Sequence, residues 1–193
     1  MKKYKIILSS NSPRRKQLFA GLGLDFEVRV LSGIDESYPT NLPAVDVPQY
    51  IARKKAAAYE VNPGELIITA DTVVIVDEKI LGKPVDADDA RRMLRLLSGR
   101  NHEVITGVCM TTVDIQHSFS VKTEVTFKPL SEDEITYYID NYRPFDKAGA
   151  YGIQEWIGYI GVTSLRGSYF NVVGMPVQRI YDELKNRFGY YIG

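Results

Sequence analysis

"KIILSSNSPRRKQLF", Lys5–Phe19, reads as a strand, a polar turn and the start of a helix. The apolar run ends at Leu8 and gives way to Ser9 and Ser10. Ser12 is a good N-cap, and Pro13 suits the first turn of the helix that follows. Arg14 and Arg15 then stand at the positive end of that helix, where cations are mildly unfavourable. A strand leading through a polar turn into a helix N-terminus is the unit on which open α/β sheets build ligand sites, for phosphates in particular. Two readings therefore fit the arginines. Either the turn is basic and solvated, or the missing negative group is a substrate phosphate.

Working outward, "DFEVRVL" alternates and predicts a strand ending near Gly33, followed by a loop punctuated by Pro39, Pro43 and Pro48. A helix carrying Tyr50, Ile51 and the Ala56-Ala57-Ala58 run is expected from Val47 to Glu60. "ELIITADTVVIVDEKILGKP" reads as a strand, a tight turn at "DEK" and a short return strand. "DADDARRMLRLLSGR" is a helix with acids in its first turn and Gly99 at its end. Two strands follow, near Glu103–Val113 and Phe119–Phe127. Ser131 and Glu134 form a capping box for a helix to about Asn141. "PFDKAGAYGIQEW" is irregular, Tyr159–Ser164 reads as a strand, and a last helix starts at Pro176. Strands and helices interleave irregularly, with adjacent strands at two places. The expected class is α/β around a mixed sheet, and no linker divides the chain.

The 193 residues balance 24 Lys and Arg against 24 Asp and Glu. A net charge of zero argues against nucleic acid or an anionic membrane as a partner bound by bulk charge. No signal-peptide pattern opens the chain and no apolar run has membrane-spanning length, so the cytoplasm is the expected compartment. Cys109 lies in an apolar stretch with no base beside it and reads as a core residue. His102 and His117 lack metal-ligand spacing and read as structural or surface residues.

"LIITADTVVIV" is apolar except for Thr69, Asp71 and Thr72. A carboxylate inside a buried strand is costly without a partner or a metal. Asp71 facing a cleft could ligate a divalent metal or activate a water. A solvated turn at "TAD" is the competing reading, and it is weakened by the immediate resumption of "TVVIV". Lys55, in "ARKKAAA", either snorkels to solvent or reaches a phosphate. Lys83 follows Gly82 on a rigid return strand. Glu36 and Asp35 lie in an acidic loop, and "FDKAGAYGIQ" offers Asp146, Lys147 and Gln154 among glycines. Together these are acids for a metal, cations for phosphates and an amide for a base edge, the inventory of metal-assisted hydrolysis of a nucleoside triphosphate. No Walker A loop and no GxSxG elbow is present.

The segments "SSNSPRR", "ARKKA", "ITADTVV", "ILGKP", "MLRLLSGRNHEVITGV", "DKAGAYGIQ" and "GSYFNVVGMP" resemble, in order, the Maf (septum formation) proteins. The resemblance runs from about residue 6 to 184 and implies a single Maf-like domain over 1–193. It implies an elongated mixed sheet flanked by helices, with two lobes around a deep cleft related to that of the inosine triphosphatases. It also implies a cytoplasmic, usually homodimeric, metal-dependent pyrophosphatase. Such an enzyme cleaves nucleoside triphosphates between the α- and β-phosphates. By resemblance, Asp71 is the general base or metal-side acid and Glu36 the second acid, and both serve Mg²⁺ or Mn²⁺. Lys55 and Lys83 match the phosphate-facing lysines, and Ser10, Arg14 and Arg15 the first phosphate loop, with Lys147 added to the substrate set. Arg14, Thr72 and Gln154 are similar to the dTTP/UTP subgroup, where the 7-methyl-GTP subgroup tends to have Trp, Gln and Glu. Glu155-Trp156 stands where the family usually has Gly, and Asn11 where it usually has a small residue. The alternative function is a nucleotide-binding regulator of septum formation without turnover.

Overall fold

The computed structural model describes residues 4–190. Its strands are β1 (Lys5–Leu8), β2 (Phe26–Val28), β3 (Glu65–Val76), β4 (Lys79–Leu81), β5 (Asn101–Thr111), β6 (Gln116–Phe127) and β7 (Val162–Arg166). The helices are α1 (Pro13–Ala20), α2 (Val47–Ala57), α3 (Ala87–Leu97), α4 (Glu132–Tyr142), α5 (Trp156–Gly161), α6 (Tyr169–Val173) and α7 (Val177–Phe188). The strands form one mixed seven-stranded sheet in the order β2-β1-β3-β5-β6-β7, with β4 paired to β3. β1 runs parallel to both β2 and β3, whereas the β3–β4 and β6–β7 pairs are antiparallel. The mixed α/β class expected from the sequence is the one observed.

The chain packs as two compact units. One holds the chain up to Asp71, Thr106–Val121 and the chain from Gly174; the other holds Thr72–Ile105 and Lys122–Val173. In the first, Ile6, Leu8, Leu66 and Ile68 pack with Phe19 of α1 and with Ile180, Leu184 and Phe188 of α7. Each such buried side chain contributes about 1.5–3 kcal/mol. α2 presents the small residues Ala52 and Ala56 to Cys109, which is fully buried as a core residue. Gly107 makes that approach possible, because a Cβ there would overlap the Pro48 carbonyl and the Gln49 nitrogen. In the second unit, Met93, Leu94 and Leu97 of α3 pack with Ile135, Tyr138 and Ile139 of α4 and with Phe127.

The caps read at Ser12 and Ser131 are observed, and the other helix ends are closed in the same local way. Asp86 caps α3 by accepting from the Asp89 N–H at 2.8 Å. Ser131 and Glu134 complete the capping box of α4, with Glu134 accepting from the Ser131 N–H at 2.9 Å. α7 stops at Gly189, whose φ of 69° suits glycine.

The structure corrects several boundaries. β2 ends at Val28 rather than near Gly33, because its partner β1 ends at Leu8, the residue paired with Val28, and beyond it only the Arg29 N–H still reaches across, to the Leu8 carbonyl at 3.2 Å. α2 ends at Ala57 rather than Glu60. Tyr159, Ile160 and Gly161 are helical, in α5, and the strand begins only at Val162. Gly158 allows that turn, since a Cβ there would collide with the Ile153 carbonyl. α6 is a short helix that the periodicity did not reveal. His102 is buried, its Nε2 2.7 Å from the Tyr151 hydroxyl, and burial lowers its pKa to about 4. His117 pairs with Glu183 at 3.1 Å. Among the described residues no helix is long and apolar enough to cross a membrane.

Candidate active site

The sequence-derived residues divide between the two units. Ser10, Arg14, Arg15, Glu36, Lys55 and Asp71 lie in the first, and Thr72, Lys83, Lys147 and Gln154 in the second.

In the first unit the site is built by β3 and α2. Alternate residues of a strand share a face. Leu66, Ile68 and Ala70 belong to the core shared with α1 and α7, which leaves Thr69 and Asp71 to face α2. Thr69 is fully buried, and its hydroxyl donates to the Ala52 carbonyl at 2.7 Å. One step along the same face, Asp71 Oδ1 accepts from Lys55 Nζ at 2.9 Å. Lys55 also pairs with Glu36 Oε1 at 3.1 Å. One ammonium, only 15% exposed, therefore faces two carboxylates. Lys55 does not snorkel, and Asp71 is not in a solvated turn.

The β1–α1 turn lies in the same unit. Ser9 and Ser10 are buried. Ser10 Oγ accepts from the Ser12 N–H at 3.2 Å, and Ser12 caps α1 by accepting from the Arg15 N–H at 3.4 Å. Ser9 Oγ is buried with no hydrogen-bond partner among the described residues. Arg15 turns back from the helix end, its Nε donating to Gly174 O and its NH1 to Ala70 O, both at 2.8 Å. Ala70 is the neighbour of Asp71, so Arg15 braces the backbone that carries the acid. Burial lowers the Arg15 pKa from its ordinary value, while Asp71 and Glu36 oppose that shift. Part of the answer to the two adjacent arginines is thus internal: carbonyls and two carboxylates of the same unit stabilise Arg15.

In the second unit, the Gly149 N–H donates to the Gly82 carbonyl at 3.0 Å, which ties "DKAGA" to the turn bearing the exposed Lys83. Lys147 is buried, with Nζ 2.8 Å from Asp146 Oδ1 and 3.1 Å from Glu155 Oε1. The Tyr138 hydroxyl donates to Glu155 Oε2 and accepts from the Gly152 N–H at 3.0 Å. Burial and the Glu155 carboxylate push that hydroxyl well above the usual tyrosine range. Gln154 folds back over Gly152, where a Cβ would lie 2.9 Å from its Nε2. Its Oε1 is buried without a hydrogen-bond partner among the described residues. Thr72 opens this unit on β3. The role of Tyr138 escaped the sequence reading, although a tyrosine on the apolar face of α4 needs a polar partner for its hydroxyl.

A family model described as Maf-like protein matches residues 5–187. The chain belongs to the Maf-like proteins. Its Maf relatives include a protein of Phocaeicola vulgatus named dTTP/UTP pyrophosphatase, 63% identical over 187 residues, covering 96% of this chain and 97% of that one. A Bacteroides thetaiotaomicron protein of the same name is 58% identical over 185 residues, covering 95% and 96%. One from Flavobacterium johnsoniae, again so named, is 50% identical over 186 residues, covering 95% of each chain. A solved HAM1 protein from Coxiella burnetii superposes with a TM-score of 0.41 at 14% identity, over 64% of this chain and 73% of its own.

Proposed function

We propose that this Maf-like protein is a nucleoside triphosphate pyrophosphatase that converts dTTP and UTP to the monophosphate and pyrophosphate. The observation that carries the reading is Lys55 Nζ lying against both Asp71 and Glu36. A carboxylate there can take the proton of an attacking water, and the ammonium can bind charge that grows on the departing pyrophosphate. Nearly full-length relatives bearing the name dTTP/UTP pyrophosphatase support the substrate class.

The same donors fit a hard divalent cation. Both are carboxylates, and Mg²⁺ is typically held by one or two carboxylates together with substrate phosphates. Among the described residues no group of three or more His, Cys, Asp or Glu could hold an ion by itself. Glu36 and Asp71 would hold Mg²⁺ or Mn²⁺ with the triphosphate. When bound, the ion supplies neutralisation of phosphate charge. Asp71 receives the water proton, and Lys55 and Lys83 serve the phosphates. Ser10, Arg14 and the α1 N-terminus bind the outer phosphates, while Arg15 holds the Ala70–Asp71 backbone in place. Thr72, Lys147 and Gln154 complete the substrate set.

Base selection falls to Gln154. A buried carbonyl oxygen without a partner is unfavourable, and a ring N–H would satisfy it. Uracil and thymine offer an N–H between two carbonyls, which the Gln154 amide can complement. A cytoplasmic homodimer belongs to the same reading. Tyr159 at 83% exposure, with Tyr169 and Phe170 also exposed, supplies aromatic surface of the kind enriched at interfaces.

Measuring kcat/KM by pyrophosphate release at one Mg²⁺ concentration tests this directly. dTTP and UTP should lead, CTP should follow, and GTP, ATP and 7-methyl-GTP should trail by about a hundredfold, since a site built for one edge leaves polar groups unpaired with another. Excess chelator should abolish turnover. A purine ahead of UTP would overturn the base assignment, and full activity in chelator would overturn the metal.

A further inference from the structure

Glu36 lies in a stretch, residues 29–43, that contains no helix or strand, and its side chain is 55% exposed. A single ion pair to Lys55 would hold an acid on such a loop only weakly. The residues on either side of it are nevertheless fastened. Lys54 Nζ donates to Asp35 Oδ2 at 2.6 Å, to Ser37 O at 2.9 Å and to Ser37 Oγ at 3.0 Å. That uses all three donors of the ammonium. Asp35 in turn accepts from the Ser37 N–H at 2.9 Å and from the Ser37 hydroxyl at 2.8 Å. The turn 35–37 is therefore closed on itself and pinned to α2.

We infer that Lys54 and Asp35 are positioning residues, forming a clamp that holds Glu36 against Lys55. The adjacent lysines of α2 divide the work. Lys55 faces the acids of the site, and Lys54 fixes the loop that delivers one of them. An exposed ion pair adds little to stability. Its value here is geometric, because a displacement of about 1 Å at a reacting group can cost about a hundredfold in rate. The inference rests on the reading of Glu36 as an acid of the pyrophosphatase site.

The test uses the full chain with dTTP and Mg²⁺. Lys54→Ala and Asp35→Asn should each lower kcat about tenfold while KM for dTTP stays within about twofold, since neither side chain is placed on the triphosphate. Lys54→Arg should restore most of the rate. On a Glu36→Gln background, Lys54→Ala should cost less than about twofold further, because residues acting through one another are not additive. Hydrogen exchange should show the Ser37 amide released in Lys54→Ala. Unchanged kcat in both single variants, or the same tenfold loss on the Glu36→Gln background, would overturn the clamp. So would unaltered exchange at Ser37. A wild-type protein that hydrolyses no nucleotide would overturn the pyrophosphatase reading and the catalytic part of this inference. The exchange measurement would then still decide whether the clamp exists.

Discussion

Asp71→Asn should lower kcat for dTTP by about a thousandfold while the protein stays folded, since the proposed role of Asp71 is that of a positioned general base, which contributes about 10²–10⁴. Asparagine keeps the shape and one carbonyl oxygen of the side chain. It removes the charge that a metal or a departing water proton needs. The fold should survive because Lys55 retains Glu36 at 3.1 Å as a counter-charge. The hydrophobic faces of β3 on either side of Asp71, through Ile68 and Val74, are untouched. Pyrophosphate release measured beside far-UV circular dichroism separates the two effects. A folded variant with near-wild-type turnover would move the proton transfer to Glu36.

Lys55→Ala is the second large effect. It should reduce kcat by about a hundredfold or more, with KM changing much less, because a fixed cation binds the charge of leaving pyrophosphate better than that of the ground state. The loss should also destabilise the first unit. Without the ammonium, the carboxylates of Asp71, 14% exposed, and Glu36 lose the counter-charge they share. Lys55→Met keeps the aliphatic stem and separates packing from charge. It should recover stability in part and activity hardly at all. Unchanged kcat in both variants would show that Lys55 serves structure alone.

What the sequence made legible follows the local rules. β3 was readable because its apolar run is interrupted only at Thr69, Asp71 and Thr72. Thr69 and Asp71 then prove to share a face, so the interruption marks where α2 docks rather than where the strand ends. Ser12 and Ser131 were readable as caps because capping depends on the few residues around each helix end. Tyr159–Gly161 was misread because a short apolar run carries no period, and a contact at Gly158 with the Ile153 carbonyl decides it. β2 was read too long because the length of a strand is set by its neighbour, and β1, which pairs Leu8 with Val28, ends there.

The site shows the same division. Asp71 stood out because a carboxylate in an apolar strand contradicts its surroundings. Of the adjacent lysines Lys54 and Lys55, the sequence singled out the second and gave the first no part. Only the tertiary structure reveals that one grips Asp35 and Ser37 while the other faces Asp71. Glu155 was visible as an unusual residue. That it links Lys147 to Tyr138 required α4 to be in place.

Which bond breaks is read directly by ³¹P NMR of dTTP incubated with the wild-type protein and Mg²⁺. The expected result is dTMP and pyrophosphate appearing in equal amounts, with no dTDP at any time. Accumulation of dTDP with inorganic phosphate would place the attack at the terminal phosphate and contradict it, as would dTTP left intact.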